Sequence, residues 1–166
     1  MKATLIIEGK EIEIEISEEE YKKLHTSETG YERVPENSGF YYVSGRGDVE
    51  PGIDEYCWVD YKYYESANYY SSDFVAENNT RADKLLRQLR RFAVQHRERE
   101  VNFNNTNTKK YCIYYEYGDD KLRVSLAYCS KFFGAIYFDS REVANAAIDK
   151  FHDELIWYFN EYKDSL

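Results

Sequence analysis

Two ten-residue stretches decide how this chain is read: Ala67-Asn68-Tyr69-Tyr70-Ser71-Ser72-Asp73-Phe74-Val75-Ala76 and Ala135-Ile136-Tyr137-Phe138-Asp139-Ser140-Arg141-Glu142-Val143-Ala144. Set one above the other, they are identical at Ala67/Ala135, Tyr69/Tyr137, Ser72/Ser140, Val75/Val143 and Ala76/Ala144. Each opens on aromatic residues that suit a strand. Each then offers a serine whose hydroxyl can accept a backbone N–H at the start of a helix. The reading is a strand entering a helix, twice, within a weak internal duplication. Convergence on one common kind of junction is the alternative.

Downstream of each junction, apolar residues recur at helical spacing. The first set is Ala82, Leu85, Leu86, Leu89, Phe92, Ala93 and His96; the second is Ala144, Ala147, Ile148, Phe151, Leu155, Tyr158, Phe159 and Tyr162. Each set predicts one continuous amphipathic helix lying on a sheet. Upstream of each junction stands a strand and a turn. These are Phe40-Tyr41-Tyr42-Val43 with Gly45-Arg46-Gly47-Asp48, and Tyr111-Cys112-Ile113-Tyr114-Tyr115 with Gly118-Asp119-Asp120.

At the N-terminal end, Leu5-Ile6-Ile7, a turn at Gly9-Lys10, and Glu11, Glu13 and Glu15 alternating with Ile12, Ile14 and Ile16 predict a hairpin. Ser17 with Glu20 forms a capping box, so a short helix to about Leu24 follows. The expected fold is therefore α+β. Residues 1–25 hold the hairpin and helix, and 26–38 form a linker. Two repeated antiparallel strand-strand-strand-helix modules follow at 39–101 and 109–166, joined by an Asn-rich loop at 102–108.

The 166 residues are 43% hydrophobic, enough for a packed core and too many for a disordered chain. No apolar run approaches the ~18 residues of a membrane span. The N-terminal stretch lacks the parts of a signal peptide, so the expected location is intracellular, in the cytoplasm of a bacterial host cell. Cys57, Cys112 and Cys129 are odd in number and form no CxxC, and His25, His96 and His152 are scattered. Neither a disulfide framework nor a structural metal site is expected. No nucleophile elbow, phosphate-binding glycine loop or HExxH is present, so a non-enzymatic protein without a cofactor is expected.

Charge carries more information. The formal net charge is −9, yet residues 81–100 hold seven basic and three acidic side chains. Lys84, Arg87 and Arg91 fall opposite the apolar stripe as one ridge, with Arg90 and Arg97 on one flank and Arg81 and Arg99 on the other. That ridge reads as a surface for nucleic-acid phosphates or for an acidic patch on a partner, or else as a solvated helix face. The N-terminal part is the opposite. Glu11, Glu13 and Glu15 project from one strand face, with Glu18, Glu19 and Glu20 after them. A regular row of carboxylates can imitate a phosphate backbone and occupy a groove on another protein; a polar strand face and an acid-rich helix start are the plainer reading. The 18 tyrosines are the third signal. They suit an open sheet face used as an interface, and equally strands finishing a half-wet sheet. Ile156 and Trp157 fall off the last apolar stripe and suit a module–module or subunit contact.

Met1-Lys2-Ala3-Thr4 with Glu11-Ile12-Glu13-Ile14-Glu15-Ile16-Ser17-Glu18-Glu19-Glu20, Arg87-Gln88-Leu89-Arg90-Arg91-Phe92-Ala93, and Ile136-Tyr137-Phe138-Asp139-Ser140 with Asp153-Glu154-Leu155-Ile156-Trp157-Tyr158-Phe159 resemble small accessory proteins. These are encoded by prophages and mobile elements of gut-type Gram-positive bacteria. The resemblance spans most of the chain and its motifs are structural. It implies a counter-defence factor, anti-CRISPR-like, that inhibits a bacterial nuclease effector such as Cas9 by binding it. It carries over no functional residue. The alternative is a nucleic-acid-binding accessory protein using the basic helix 81–99.

Overall fold

The computed structural model describes residues 2–7, 10–15, 17 and 29–164. The fold is α+β and its strand pairings are antiparallel. Strands β1 (Lys2–Ile7) and β2 (Lys10–Glu15) pair with Lys2 opposite Glu15 and Ile7 opposite Lys10. Of the turn expected at Gly9-Lys10, Lys10 belongs to β2 and Gly9 lies outside the described residues, as does the short helix expected after Ser17.

The first unit begins with β3 (Ser38–Val43) and β4 (Val49–Asp54). Their turn closes when the Ser44 N–H reaches the Asp48 carbonyl at 2.8 Å and the Gly47 N–H reaches that of Ser44 at 2.9 Å. Helix α1 (Trp58–Glu65) follows, and the Asp60 carboxylate accepts the Glu55 and Cys57 N–H groups at 2.9 and 3.1 Å at its start. The chain then returns to β3. Tyr70 and Tyr41 exchange two backbone bonds of 2.8 and 2.9 Å, and the Asn68 amide binds both backbone groups of Val43. The junction enters α2 (Asp73–His96), whose first turn is capped by the Ser72 hydroxyl accepting the Val75 N–H at 3.4 Å.

The second unit orders its strands β6-β5-β7, from β5 (Lys110–Glu116), β6 (Lys121–Ala127) and β7 (Tyr137–Phe138). Tyr111 stands opposite Phe138 and Cys112 opposite Tyr137. Ser140 caps α3 (Arg141–Lys150) by accepting the Val143 N–H at 3.2 Å. A second helix, α4 (His152–Asn160), follows at once.

The two units depart from a strict repeat. In the first, the third strand is a single bridge and α1 is inserted before it. In the second, the continuous helix expected over 144–162 is divided. Phe151 takes φ −114 and ψ 22, outside helical geometry, while its ring packs edge-on against Phe92 at 5.7 Å.

Helix α2 joins the units. Near its start Val75 and Ala76 pack with Tyr70, Tyr41, Val43 and Val49. Further along, Leu85, Leu89, Phe92 and Ala93 form the larger core with Val124, Phe138, Ala144, Ala147 and Leu155. Within the stretch read as a linker, residues 29–37 lie against this framework. Gly30 has φ +91, and a Cβ there would stand 2.4 Å from Val75 Cγ2. A side chain would therefore be strained in backbone and in space. The Ser71 N–H donates to the Gly30 carbonyl at 2.9 Å.

Candidate functional site

Helical geometry sets the ridge. Positions 84, 87 and 91 recur near one helix face, opposite Leu85, Leu89 and Phe92, with 90 on its flank. Lys84, Arg87, Arg90 and Arg91 are all exposed on α2, and Arg97 is exposed at its C-terminal cap. Arg87 lies 3.9 Å from Asp83, a solvent-facing pair that contributes little. Lys84, Arg90, Arg91 and Arg97 have no ion pair among the described residues. Val94, 57% exposed, lies on the same face and gives it an apolar spot.

The flanking cations behave differently. Arg81 grips Glu154 of α4 with bonds of 2.9 and 3.1 Å, and its guanidinium lies 3.9 Å above the Trp157 ring. Arg99 donates to the Asp139 carbonyl at 2.5 Å, while the Asp139 carboxylate accepts the Glu98 and Arg99 N–H groups. These two arginines hold α2 to the second unit. Trp157, read as a module–module or subunit contact, makes the first of these: it is buried under Arg81, which comes from the first unit.

The tyrosines also divide. In the first unit α1 covers the face of the sheet opposite α2, and Phe40 and Tyr69 are buried beneath it, while Tyr56, Tyr61 and Tyr64 stay exposed. Phe40 stacks on Tyr69 at 4.3 Å, Tyr42 on Tyr63 at 4.5 Å, and Tyr64 meets Tyr69 edge-on at 5.4 Å. Gly52 makes this layer possible, since a Cβ there would stand 2.7 Å from the Phe40 ring. Beneath the layer, the buried Asp54 carboxylate accepts Arg33 at 2.9 and 3.1 Å, the Tyr56 N–H at 2.8 Å and the Tyr69 hydroxyl at 2.8 Å. Burial alone would raise this carboxyl's pKa. The Arg33 guanidinium, the Tyr56 N–H and the Tyr69 hydroxyl outweigh that and hold it below its ordinary value. Arg33 in turn is sandwiched by Tyr56 at 4.4 Å and Tyr61 at 3.9 Å.

In the second unit one face of the sheet meets the helices. Tyr111, Ile113 and Leu122 pack on the larger core, and Tyr115 stacks on Phe159 at 5.7 Å. Pairing places Cys112 with Ser125, Tyr114 with Arg123 and Glu116 with Lys121 on the other face. Tyr114, Arg123 and Lys121 are exposed there. Lys110, whose burial nothing in the sequence signals, is 1% exposed and donates to the Asn105 and Tyr128 carbonyls at 2.5 and 2.8 Å, pinning two loops. Phe132 and Phe133 project from the loop after β6.

Of the acidic row, Glu11, Glu13 and Glu15 alternate along β2 opposite Ile6, Thr4 and Lys2, and Glu15 is exposed. Glu18 and Glu19 lie outside the described residues. Among the described residues no group of three or more His, Cys, Asp or Glu is placed to hold a metal. Cys57 and Cys129 are exposed, and burial pushes the Cys112 thiol up. No described helix is long and apolar enough to cross a membrane. No family model, curated protein or solved structure matches the chain.

Proposed function

We propose that this protein is a non-catalytic binding protein of the counter-defence type: it inhibits a bacterial nuclease effector, with Cas9 as the first candidate, by occupying its surface in the host cytoplasm. The observation that carries a binding role is the cationic ridge. Lys84, Arg87, Arg90 and Arg91 stand along about 10 Å of one helix axis in a chain of net charge −9. Of Lys84, Arg87, Arg90, Arg91 and Arg97, only Arg87 has an ion pair among the described residues, so the ridge offers its charge outward. An acid-lined cleft of a nuclease matches it. The row Glu11, Glu13, Glu15, Glu18 and Glu19 is the second proposed partner surface, as a phosphate mimic. The choice of target rests on the resemblance to mobile-element accessory proteins, a setting that includes inhibitors of this kind.

The same ridge favours a second reading, a nucleic-acid-binding accessory protein. The two separate cleanly. In the first, purified protein forms a complex with the effector and suppresses its cleavage; Arg87→Glu with Arg91→Glu, or Glu11→Lys with Glu13→Lys and Glu15→Lys, abolishes this and identifies the surface used. Full cleavage with no complex rejects it. In the second, DNA or RNA binding weakens with salt at a log–log slope of roughly −3 to −4 for four phosphate contacts. No binding at low ionic strength rejects that one.

The two units are read as copies of one strand-strand-strand-helix plan. What supports this is that Tyr41 with Tyr70 and Tyr111 with Phe138 make the same pairing. Ser72 and Ser140 cap the same way, and Ala76 and Ala144 are both fully buried. Exchanging residues 67–76 with 135–144 tests it: a chain that still unfolds cooperatively supports common descent of the plan, and one that does not fold counts against it.

A further inference from the structure

A cavity of about 290 Å³ opens between the middle of α2, the inner face of the second sheet, α4 and the loop at 133–136. Leu85, Leu89, Ile113, Phe138, Leu155 and Phe159 are among its walls, and no charged side chain lines it. A cavity of ~150 Å³ with such walls accepts one benzene ring, so this space takes two fused rings or a medium-length alkyl chain. Atoms lining an unfilled hollow lack dispersion partners on one side, and an apolar occupant restores them.

The mouth is not apolar. A shallow depression beside the cavity shares Phe133, Gly134 and Ala135 with it and adds Arg90 and Lys131. No carboxylate lines either space. Arg90 has no ion pair among the described residues, and the Lys131 ammonium lies 5.8 Å from the Phe103 ring. An apolar interior with a few polar groups at one end is the usual make-up of a small-molecule site, and the volume lies close to the lower end of the ~300–1,000 Å³ range of such sites.

We infer that this cavity binds an anionic amphiphile, its apolar body inside and its single carboxylate or phosphate head on Arg90 and Lys131. The walls favour the apolar part by burial, and the rim offers two cations with no competing acid. The assignment goes beyond the docking function and uses only Arg90 of the ridge.

The test is calorimetric titration of the full chain with decanoate, 1-decanol and decylamine. Decanoate binds saturably at one site, and the other two bind at least about tenfold more weakly. Arg90→Glu with Lys131→Glu lowers decanoate affinity at least about tenfold and leaves decanol unchanged. Both positions are exposed, so that variant keeps its fold, which circular dichroism checks. Ala135→Trp, which fills the mouth, removes decanoate and decanol binding alike. Phosphatidylglycerol vesicles that bind with the same losses identify a lipid as the source of the ligand. No saturable decanoate binding, undiminished binding by the double variant, or vesicle binding without decanoate binding overturns the inference. Arg87→Glu with Arg91→Glu leaves decanoate binding intact, so this result and the docking result are independent.

Discussion

Tyr69 and Tyr137 occupy matching places in two matching junctions, yet their surroundings differ. Tyr69 is 2% exposed, stacked on Phe40, and its hydroxyl donates to Asp54. Tyr137 is half-buried, and its hydroxyl accepts the Phe132 N–H at 2.7 Å. The cause is α1, which covers the outer face of the first sheet. Residues 128–136, in the corresponding place of the second unit, form no helix, and that sheet keeps an outward face. A junction is thus a local device, and burial is set by what packs over it.

The comparison can be broken most forcefully at the bridge positions. Phe138→Ala empties a site that is 1% exposed in the larger core and is expected to cost about 3–5 kcal/mol in urea titration. Tyr70→Ala, in the smaller cluster, costs about 2 kcal/mol. Equal losses would show that α2 ties both cores into one cooperative unit of uniform strength.

Asp54→Ala comes next, at about 3 kcal/mol, because it leaves Arg33 without its carboxylate and Tyr69 without its acceptor. This effect has a pH signature with a definite sign. The folded pKa of Asp54 lies below its unfolded value, ~3.9. Its ionised form therefore stabilises the fold above that unfolded value, and the contribution is lost as pH falls through the folded one. The stability gap between the native chain and Asp54→Asn stays level from about pH 5 to 8 and narrows below about pH 4. A gap that widens in acid contradicts the assignment. Tyr137→Phe, the second-unit counterpart of losing the Tyr69 hydroxyl, leaves stability within about 0.5 kcal/mol.

Smaller and more alike are the caps. Ser72→Ala and Ser140→Ala are each expected to cost about 1 kcal/mol by the same titration. A loss at only one of them would show that the junctions are alike in sequence and unlike in energy. Smallest is the outward face: Lys121→Ser changes stability by less than about 0.5 kcal/mol, and a larger loss would mean that something in the fold leans on that face.

The sequence carried the strands, the turns and both capping serines, because those depend on side chains within a few residues of each other. It also separated the ridge, since helical spacing alone opposes Lys84, Arg87 and Arg91 to Leu85, Leu89 and Phe92. It did not carry the break at Phe151, where one apolar stripe continues through a residue whose backbone leaves helical geometry and whose ring packs on Phe92. It set Arg81 and Arg99 on a flank of their own but did not carry what holds them; Glu154 and Asp139 are 73 and 40 residues away.

By itself, then, the chain's order of residues determined the strand-and-turn starts of the two units, the starts of α2 and α3 at their capping serines, and which face of α2 is cationic; α1 and the separate start of α4 were not among its results. Those outcomes follow from neighbours along the backbone. Tertiary structure alone decided that Tyr69 is stacked and buried beneath α1, that Arg33 and Asp54 lock residues 29–37 in place, and that an apolar hollow opens beside the second sheet next to Arg90 and Lys131. Each of these needs residues far apart in the chain to be brought together, and only the packing of α1, α2 and α4 on the two sheets does so.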